Sequence, residues 1–463
     1  MKRTTLALLA CCLALAVAAP AALANDGAVG TQGGTVRPIG NADVRMDSEA
    51  VQIICMDGVA LYRIDFKFVN EASEPKTVKL GFPFPDFENT EYDNNGEAPG
   101  GFRAWLNGRE LAVAQEKGTD GEGDDTWDVI WFTHTATFPP GDSMITVSYV
   151  GSPDVSVGVP DQLAGVAIPA GVAPESIGMG YYPYFVHTGA GWAGTIGKSV
   201  IRYTLADDFD GFGVEQVTKN WVNGSREWMG AERAKNLLAF TKPEPNVYQW
   251  TYTDYEPTRA HDPEIAFARS SAWREDFDPW EETKASTYLK LGDFEYVPYN
   301  AANGNPGDAW AEAVDGPGIG QWLQVPFGET RAVKQIRVLG GYQKRADLYA
   351  KYNRPKRLKI DYSDGSSQEI TLADEMGLQV FDANASATSA KVTILDVYKG
   401  TNERDETYLS EIAFAEAPAP QFEKFEAVTG IAPPTGFEEP EGLAALTKGA
   451  GGTASGEGGE AWL

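Results

Sequence analysis

Leu61 to Asn70 reads LYRIDFKFVN and sets the fold class. Tyr62, Ile64, Phe66 and Phe68 fall on one side of an extended chain, with Arg63, Asp65 and Lys67 on the other. A period of two predicts a half-buried antiparallel strand, apolar inward and charged outward. The same rhythm runs on through SMITVSYVG (143–151), SVIRYTLA (199–206) and NVYQWTYTDY (246–255). In FRAWLNGRELAVA (102–114), Asn107-Gly108 stands between two strand-like runs, the dipeptide that a tight hairpin favours. No amphipathic helix of about ten residues or more is expected between residue 44 and about residue 255. The N-terminal region therefore reads as a β-sandwich over residues 25–258.

Composition narrows the rest. The chain has 463 residues, 38 Lys+Arg against 66 Asp+Glu, and a net charge of −28. Its length calls for two domains, and its acidity excludes a nucleic acid as partner because no basic field faces a phosphate backbone. The first residues carry Lys2 and Arg3, an apolar run from Leu6 to Ala19, and Ala22-Leu23-Ala24. This is the pattern of a cleavable export signal spanning 1–24. It predicts a periplasmic or secreted protein with no membrane span after cleavage. Cleavage removes Cys11 and Cys12 and leaves Cys55, inside the apolar run VQIICM, as a buried strand residue.

YEPTRAHDPEIAF (255–267) marks a domain boundary, with proline and mixed charge. Beyond it lies an aromatic, acidic loop region, and then strands resume in GQWLQVPF (320–327), AVKQIRVLGGY (332–342) and AKVTILDVY (390–398). From Glu416 the chain turns rich in Pro, Gly and Glu, and residues 416–463 read as a disordered acidic tail.

Three blocks of the second unit stand in order: AWAEAVDGPGIGQWLQVPF (309–327), GGYQKRADLYAKYNRPKRLKI (340–360) and ILDVYKGTNERDETYLSEIAF (394–414). Together they resemble the discoidin-like (F5/8 type C, galactose-binding-like) domain found beside bacterial NAD glycohydrolases. That family's domain serves toxin translocation and is described as glycan-binding. The resemblance covers residues 262–415 and implies a jelly-roll β-sandwich whose loops take a sugar, a lipid head group or a protein. More weakly, VRMDSEAVQI (44–53), YRIDFKFVN (62–70) and GFPFPD (81–86) resemble a family of uncharacterised exported bacterial proteins. The NAD glycohydrolase enzyme domain has no counterpart in residues 25–255.

A sugar site needs a flat aromatic platform beside groups that donate and accept hydrogen bonds. Trp273, Trp280, Tyr288, Tyr299 and Tyr342 are the candidate platforms, with Glu312, Asn353, Arg354 and Asp347 as polar contacts. The competing reading makes Tyr342, Asn353 and Arg354 loop pins. The fold resembled often holds a structural Ca2+, and Asn303, Asn305 and Asp308 in NAANGNPGD (300–308), with Glu411, would hold it here. The alternative is an Asx-turn loop. The acidic loops NTEYDNNGEAPGG and EKGTDGEGDDTWD match no Ca2+ motif and read as solvated surface. His187 and His261 fall in loops without evident partners. No nucleophile elbow, zinc motif or phosphate loop occurs, and no organic cofactor is expected. The expectation is an exported, non-enzymatic protein whose distal domain binds a glycan or cell-surface ligand. The alternatives are a protein-interaction or translocation module at the cell envelope, and, least favoured, a glycoside or NAD hydrolase.

Overall fold

A computed structural model describes the chain except residues 1–26, 33–34, 39–43, 86–98, 121–126, 157–159, 171, 173–175, 271–277, 293, 444–446 and 449–463. The export signal and Trp273 lie outside the described residues, as does most of the two acidic glycine loops.

The decisive stretch is strand Ala60–Asn70, paired antiparallel with Val44–Cys55 on one side and Gly141–Gly151 on the other. These three are the centre of a seven-stranded sheet completed by Ile196–Leu205, Val247–Tyr255, Gly100–Leu106 and Arg109–Leu111. Asn107 (φ 50°) and Gly108 (φ 86°) make the expected hairpin, since a two-residue turn of this hand needs both in the left-handed region. A closed barrel of Gly27–Gln32, Thr35–Pro38, Ala114–Asp120, Trp127–Phe138 and Lys76–Pro85 lies alongside. One continuous core joins Phe66 and Phe68 with Phe82, Phe84, Phe102, Phe132 and Tyr149. Cys55 is a fully buried strand residue whose thiol is pushed up by burial.

Three expectations change. First, Arg63 and Asp65 are not solvated: both side chains are 0% exposed and joined Nε to Oδ2 at 2.8 Å. Second, residues 416–443 are not a disordered tail. They run back over the outer face of this sheet, where Phe422, Phe425, Val428 and Leu443 are buried. There Glu439 Oε2 takes Arg63 Nη2 at 2.8 Å, Gln52 Nε2 donates to Glu423 O at 2.8 Å, and Glu423 pairs with Arg202 at 2.6 Å. Four large apolar side chains delivered to a sheet face offset the ordering entropy that the tail's composition alone does not. The same strap explains why the sheet's charged face is dry.

Third, Val214–Met229 is a 16-residue α-helix. Its buried residues, Val214, Val217, Thr218, Trp221, Val222, Ser225 and Met229, follow helical spacing and pack on the four-stranded sheet of Asp154–Ser156, Ile177–Pro183, Glu264–Ser270 and Gly211–Phe212. Asn223, Gly224 and Ser225 are weak helix formers, so burial of one face carries the helix. Because Glu264–Ser270 pairs with Ile177–Pro183, the N-terminal body runs to residue 270, past the boundary expected at 258–262.

The second body is the expected antiparallel jelly-roll sandwich. Strands Trp310–Ala311, Tyr408–Ala415, Trp322–Gly340, Gln379–Tyr398, Arg354–Tyr362 and Ser367–Thr371 form its sheet in that order, and Lys284–Ala285 pairs with Trp322–Gly340 as the seventh. The longest, Trp322–Gly340 and Gln379–Tyr398, slip register at bulges, which bend them around a core of Trp310, Leu323, Ile336, Ile360 and Ile394. The two bodies share a core: Ile54, Met56, Val59, Leu61, Val150 and Ala206 meet Leu339, Leu378 and Phe422. Loop meets loop at Gly304 (φ 76°), where a Cβ would stand 3.0 Å from the Gly58 carbonyl oxygen. Ser152 Oγ donates to Gly304 O at 2.7 Å beside it.

Candidate functional site

The sugar-site residues expected from the sequence do not converge. Tyr342 is 0% exposed inside a cluster with Tyr296, Tyr352 and Tyr408, stacked on Tyr408 at 5.3 Å. Glu312 is also fully buried; its carboxylate accepts Val314 N and Thr407 N at 2.9 Å each, tying two loops together. Burial outweighs those bonds and raises its pKa above the usual carboxylate value. Asn353 Nδ2 donates to Asp405 Oδ1 at 2.7 Å while its Oδ1 accepts Gly400 N at 2.8 Å. Arg354 forks onto Asp374 at 2.7 and 2.9 Å and also donates to the Tyr349 and Tyr352 carbonyls. Tyr342, Asn353, Arg354 and Glu312 are thus seated among partners within the chain, as loop pins are. Tyr288 is half-buried against the core with Lys290 4.9 Å from its ring, and Asp347 pairs with Arg345 at 2.8 Å.

The four expected calcium ligands do meet, on the loop between Pro298–Ala301 and Trp310 and on the facing strand Tyr408–Ala415. Several of their oxygens accept local hydrogen bonds. Asn303 Oδ1 accepts Asn305 N at 2.8 Å, Asn305 Oδ1 accepts Gly307 N at 3.1 Å, and Glu411 Oε2 accepts Gly304 N at 3.1 Å. Asn303 Nδ2 turns a donor, not an oxygen, to Asp308 Oδ2 at 2.9 Å. Ca2+ takes six to eight oxygens. Among the described residues no group of three or more His, Cys, Asp or Glu side chains gathers to hold a metal. This segment forms an Asx-turn loop.

Trp280 is different. It is 56% exposed, on the short helix Pro279–Glu282, which Asp278 caps by accepting Trp280 N at 2.9 Å. Its ring meets Tyr299 edge-on at 5.5 Å. Tyr299 sits on the turn Pro298–Ala301, anchored by Asn300 Nδ2 donating to Ala309 O at 3.2 Å. Pro279 and Tyr299 line a cleft of about 480 Å³ between the two bodies, a volume suited to a small ligand.

The cleft's polar lining comes from both domains. Arg337 Nη1 of the jelly roll pairs with Asp208 Oδ2 of the N-terminal body at 2.9 Å, and Arg331 Nη1 stands 3.6 Å from Asp57. Arg269 pairs with Asp210. Burial pushes the Asp210 carboxyl up to about 6 against the opposing pull of Arg269. It pushes Glu411 up to about 8, helped by Asp308 and Asp57. Chemically, the cleft offers a bank of charged hydrogen-bonding groups and the Tyr299 ring; the exposed Trp280 indole meets that ring but stands outside the lining. Sequence reasoning identified Trp280, Tyr299 and Glu411; it missed Asp57, Asp208 and Asp210, which sit in ordinary acidic turns with no motif. It also missed that His187 Nδ1 lies 2.8 Å from Asp262 Oδ2 and that His261 Nδ1 meets Thr258 Oγ1 at 2.9 Å.

Residues 273–415 match the family described as the NAD glycohydrolase translocation F5/8 type C domain, and residues 24–130 match a domain of unknown function (DUF4424). No curated protein matches the chain. Among solved structures, a candidate nutrient binding protein from Legionella pneumophila is 15% identical over 53% of this chain and 70% of its own, with TM-score 0.37. The family 32 carbohydrate-binding module of Clostridium perfringens NanJ, solved with galactose, is 20% identical over 29% of this chain and 93% of its own, with TM-score 0.23. A fucose binding module from Streptococcus pneumoniae is 13% identical over 30% of this chain and 94% of its own, with TM-score 0.22. The C-terminal body is therefore a discoidin-like domain resembling the translocation domain of bacterial NAD glycohydrolases, joined to a unit that resembles a family of uncharacterised function.

Proposed function

We propose that this is an exported, non-catalytic binding protein that holds a glycan at the cleft beside its discoidin-like domain. The observation that carries this reading is Trp280: a large indole left 56% exposed and set against Tyr299, which itself lines the cleft. Exposing an indole forfeits its burial energy, and stacking on the apolar face of a sugar ring recovers it. The arginine and carboxylate side chains behind it set orientation through directional hydrogen bonds. The positive n-region and apolar run of residues 2–19 support export. No helix among the described residues is long and apolar enough to cross a membrane.

The test is a glycan array followed by calorimetry on the mature chain. Binding is expected, and Trp280→Ala should weaken it at least about tenfold, the loss of one stacking contact of about 1.4 kcal/mol, with no change in melting temperature. A well-folded protein silent on a broad panel would overturn the glycan reading. Mass spectrometry of the extracytoplasmic protein should find Asn25 as its first residue.

A further inference from the structure

The inner face of the seven-stranded sheet sets a row of large side chains beside a row of small ones. Across neighbouring strands, Tyr149 stands opposite Tyr62, Tyr62 opposite Ile53, and Ile53 opposite Tyr203. Two residues along each strand, and so on the same face, come Gly151, Ala60 and Cys55, again opposite one another. All three are buried. The large side chains lean over this low row: a Cβ at Gly151 would stand 3.3 Å from Tyr62 Cε2 and 3.9 Å from Tyr149 Cε2. The Tyr62 and Tyr149 rings stack at 4.4 Å with 12° between their planes. Stacked rings from opposite positions, each with the same edge toward Gly151, carry their hydroxyls side by side.

The hydroxyls of Tyr62, Tyr149 and Tyr182 are buried, and none of the three makes a hydrogen bond within the chain. Tyr182 enters the same core from strand Ile177–Pro183, its ring stacked on Phe267 at 5.4 Å. Tyr203, by contrast, donates to the Pro263 carbonyl at 3.1 Å. Burial pushes the Tyr62 phenol well up, and Tyr149, Tyr203, Cys55 and Tyr182 around it push it the same way. Burial raises Tyr149 and Tyr182 too, so each keeps its proton and stays a neutral donor and acceptor. Elsewhere this core is built with Phe66, Phe68, Phe82, Phe84, Phe102 and Phe132. A phenyl ring at 62, 149 or 182 would fill the same space and strand no polar atom. Buried polar groups without partners cost stability, and nearly all of them find protein or water.

We infer that the N-terminal domain holds an internal site for ordered water, enclosed by the hydroxyls of Tyr62, Tyr149 and Tyr182 over the small row Gly151, Ala60 and Cys55. Water suits these groups, because a buried water takes about two to four polar partners and a phenol both donates and accepts. An ion does not suit them: the enclosing hydroxyls and thiol are neutral, and an uncompensated charge is costly to desolvate. The site lies directly behind the cleft. Cys55 ends its strand, and Asp57 and Gly58, which follow, line the cleft wall. Through that wall Tyr182 feels Asp210, Arg269 and Asp57. The water site stands whether or not the cleft takes a glycan.

The experiment combines urea unfolding with crystallography of the full mature chain. Tyr62→Phe, Tyr149→Phe and Tyr182→Phe keep the ring and remove only the hydroxyl, so each variant is expected to fold. A hydroxyl bonded to water lowers the urea midpoint when it is lost, as Tyr203→Phe should by losing its bond to Pro263. A hydroxyl stranded in a dry core does the opposite, and its loss raises the midpoint. At least two of the three midpoints are expected to fall, in the same direction as Tyr203→Phe. High-resolution density of the wild type should show water within hydrogen-bonding distance of at least two of the three hydroxyls. Two or more midpoints that hold or rise overturn the inference, and so does density that leaves the space among the three rings dry. A larger molecule bridging the hydroxyls overturns the assignment to water.

Discussion

Phe425→Ala is the sharpest test of the strap. Phe425 is 1% exposed and packs with Ala50, Met144, Val200 and Val428 on the outer face of the N-terminal sheet, with Ile431 and Phe437 closing the edge. Its truncation removes a phenyl ring from that cluster and leaves a cavity. Buried Phe→Ala changes cost about 3–5 kcal/mol, and the short covering helix Phe425–Thr429 can settle inward, so about 3 kcal/mol is expected. Glu426→Ala, exposed on the same helix, should stay within about 0.5 kcal/mol of wild type. Urea unfolding of the whole chain, followed by tryptophan fluorescence, measures both. Removal of residues 419–463 should cost more than the single substitution, because it also strips Glu439 from the buried Arg63. If Phe425→Ala and Glu426→Ala unfold at the same urea concentration as wild type, the segment is not seated on the sheet and the strap does not exist.

Other substitutions probe the remaining joints. Arg354→Lys replaces a fork on Asp374 and two carbonyl bonds with a single ammonium and should cost about 2 kcal/mol in denaturant unfolding; an unchanged midpoint would show that the pairing is incidental. Glu264, buried with Arg233 at 3.7 Å and Asp262 near, is pushed by burial up to about 7. A carboxyl raised in the folded state favours folding while protonated, so stability falls as pH climbs from the unfolded value near 4.5 to about 7. The loss is about 3 kcal/mol and levels off above that window. Glu264→Gln should flatten this slope, whereas wild-type and variant stability curves that stay parallel across pH would refute the shift. Trp280→Ala should leave stability within about 0.5 kcal/mol of wild type, since the ring is exposed; a larger loss would place it in the core.

The periodicity of LYRIDFKFVN determined a strand, and Asn107-Gly108 determined a hairpin, because both are local: side-chain alternation and left-handed backbone need no distant partner. The jelly roll was legible through three ordered sequence blocks. Trp280 was legible as a loop aromatic, but its exposure was not, for the same composition placed Tyr342 inside a tyrosine cluster. Local pattern said that Arg63 and Asp65 face water; only residues 416–443, arriving hundreds of positions later, decided that they do not. That tail looks disordered by composition because composition averages over it, whereas Phe422, Phe425 and Val428 act singly on one apolar surface. The helix Val214–Met229 depends likewise on a sheet that its own residues cannot foretell. The cleft is the clearest case: Asp57, Asp208 and Asp210 belong to unremarkable turns and become one charged wall only because two parallel strands end at a common edge. Sequence alone fixes what each short segment prefers; which segments share a surface, and hence what charge and burial each side chain feels, is settled by tertiary contacts between residues far apart in the chain.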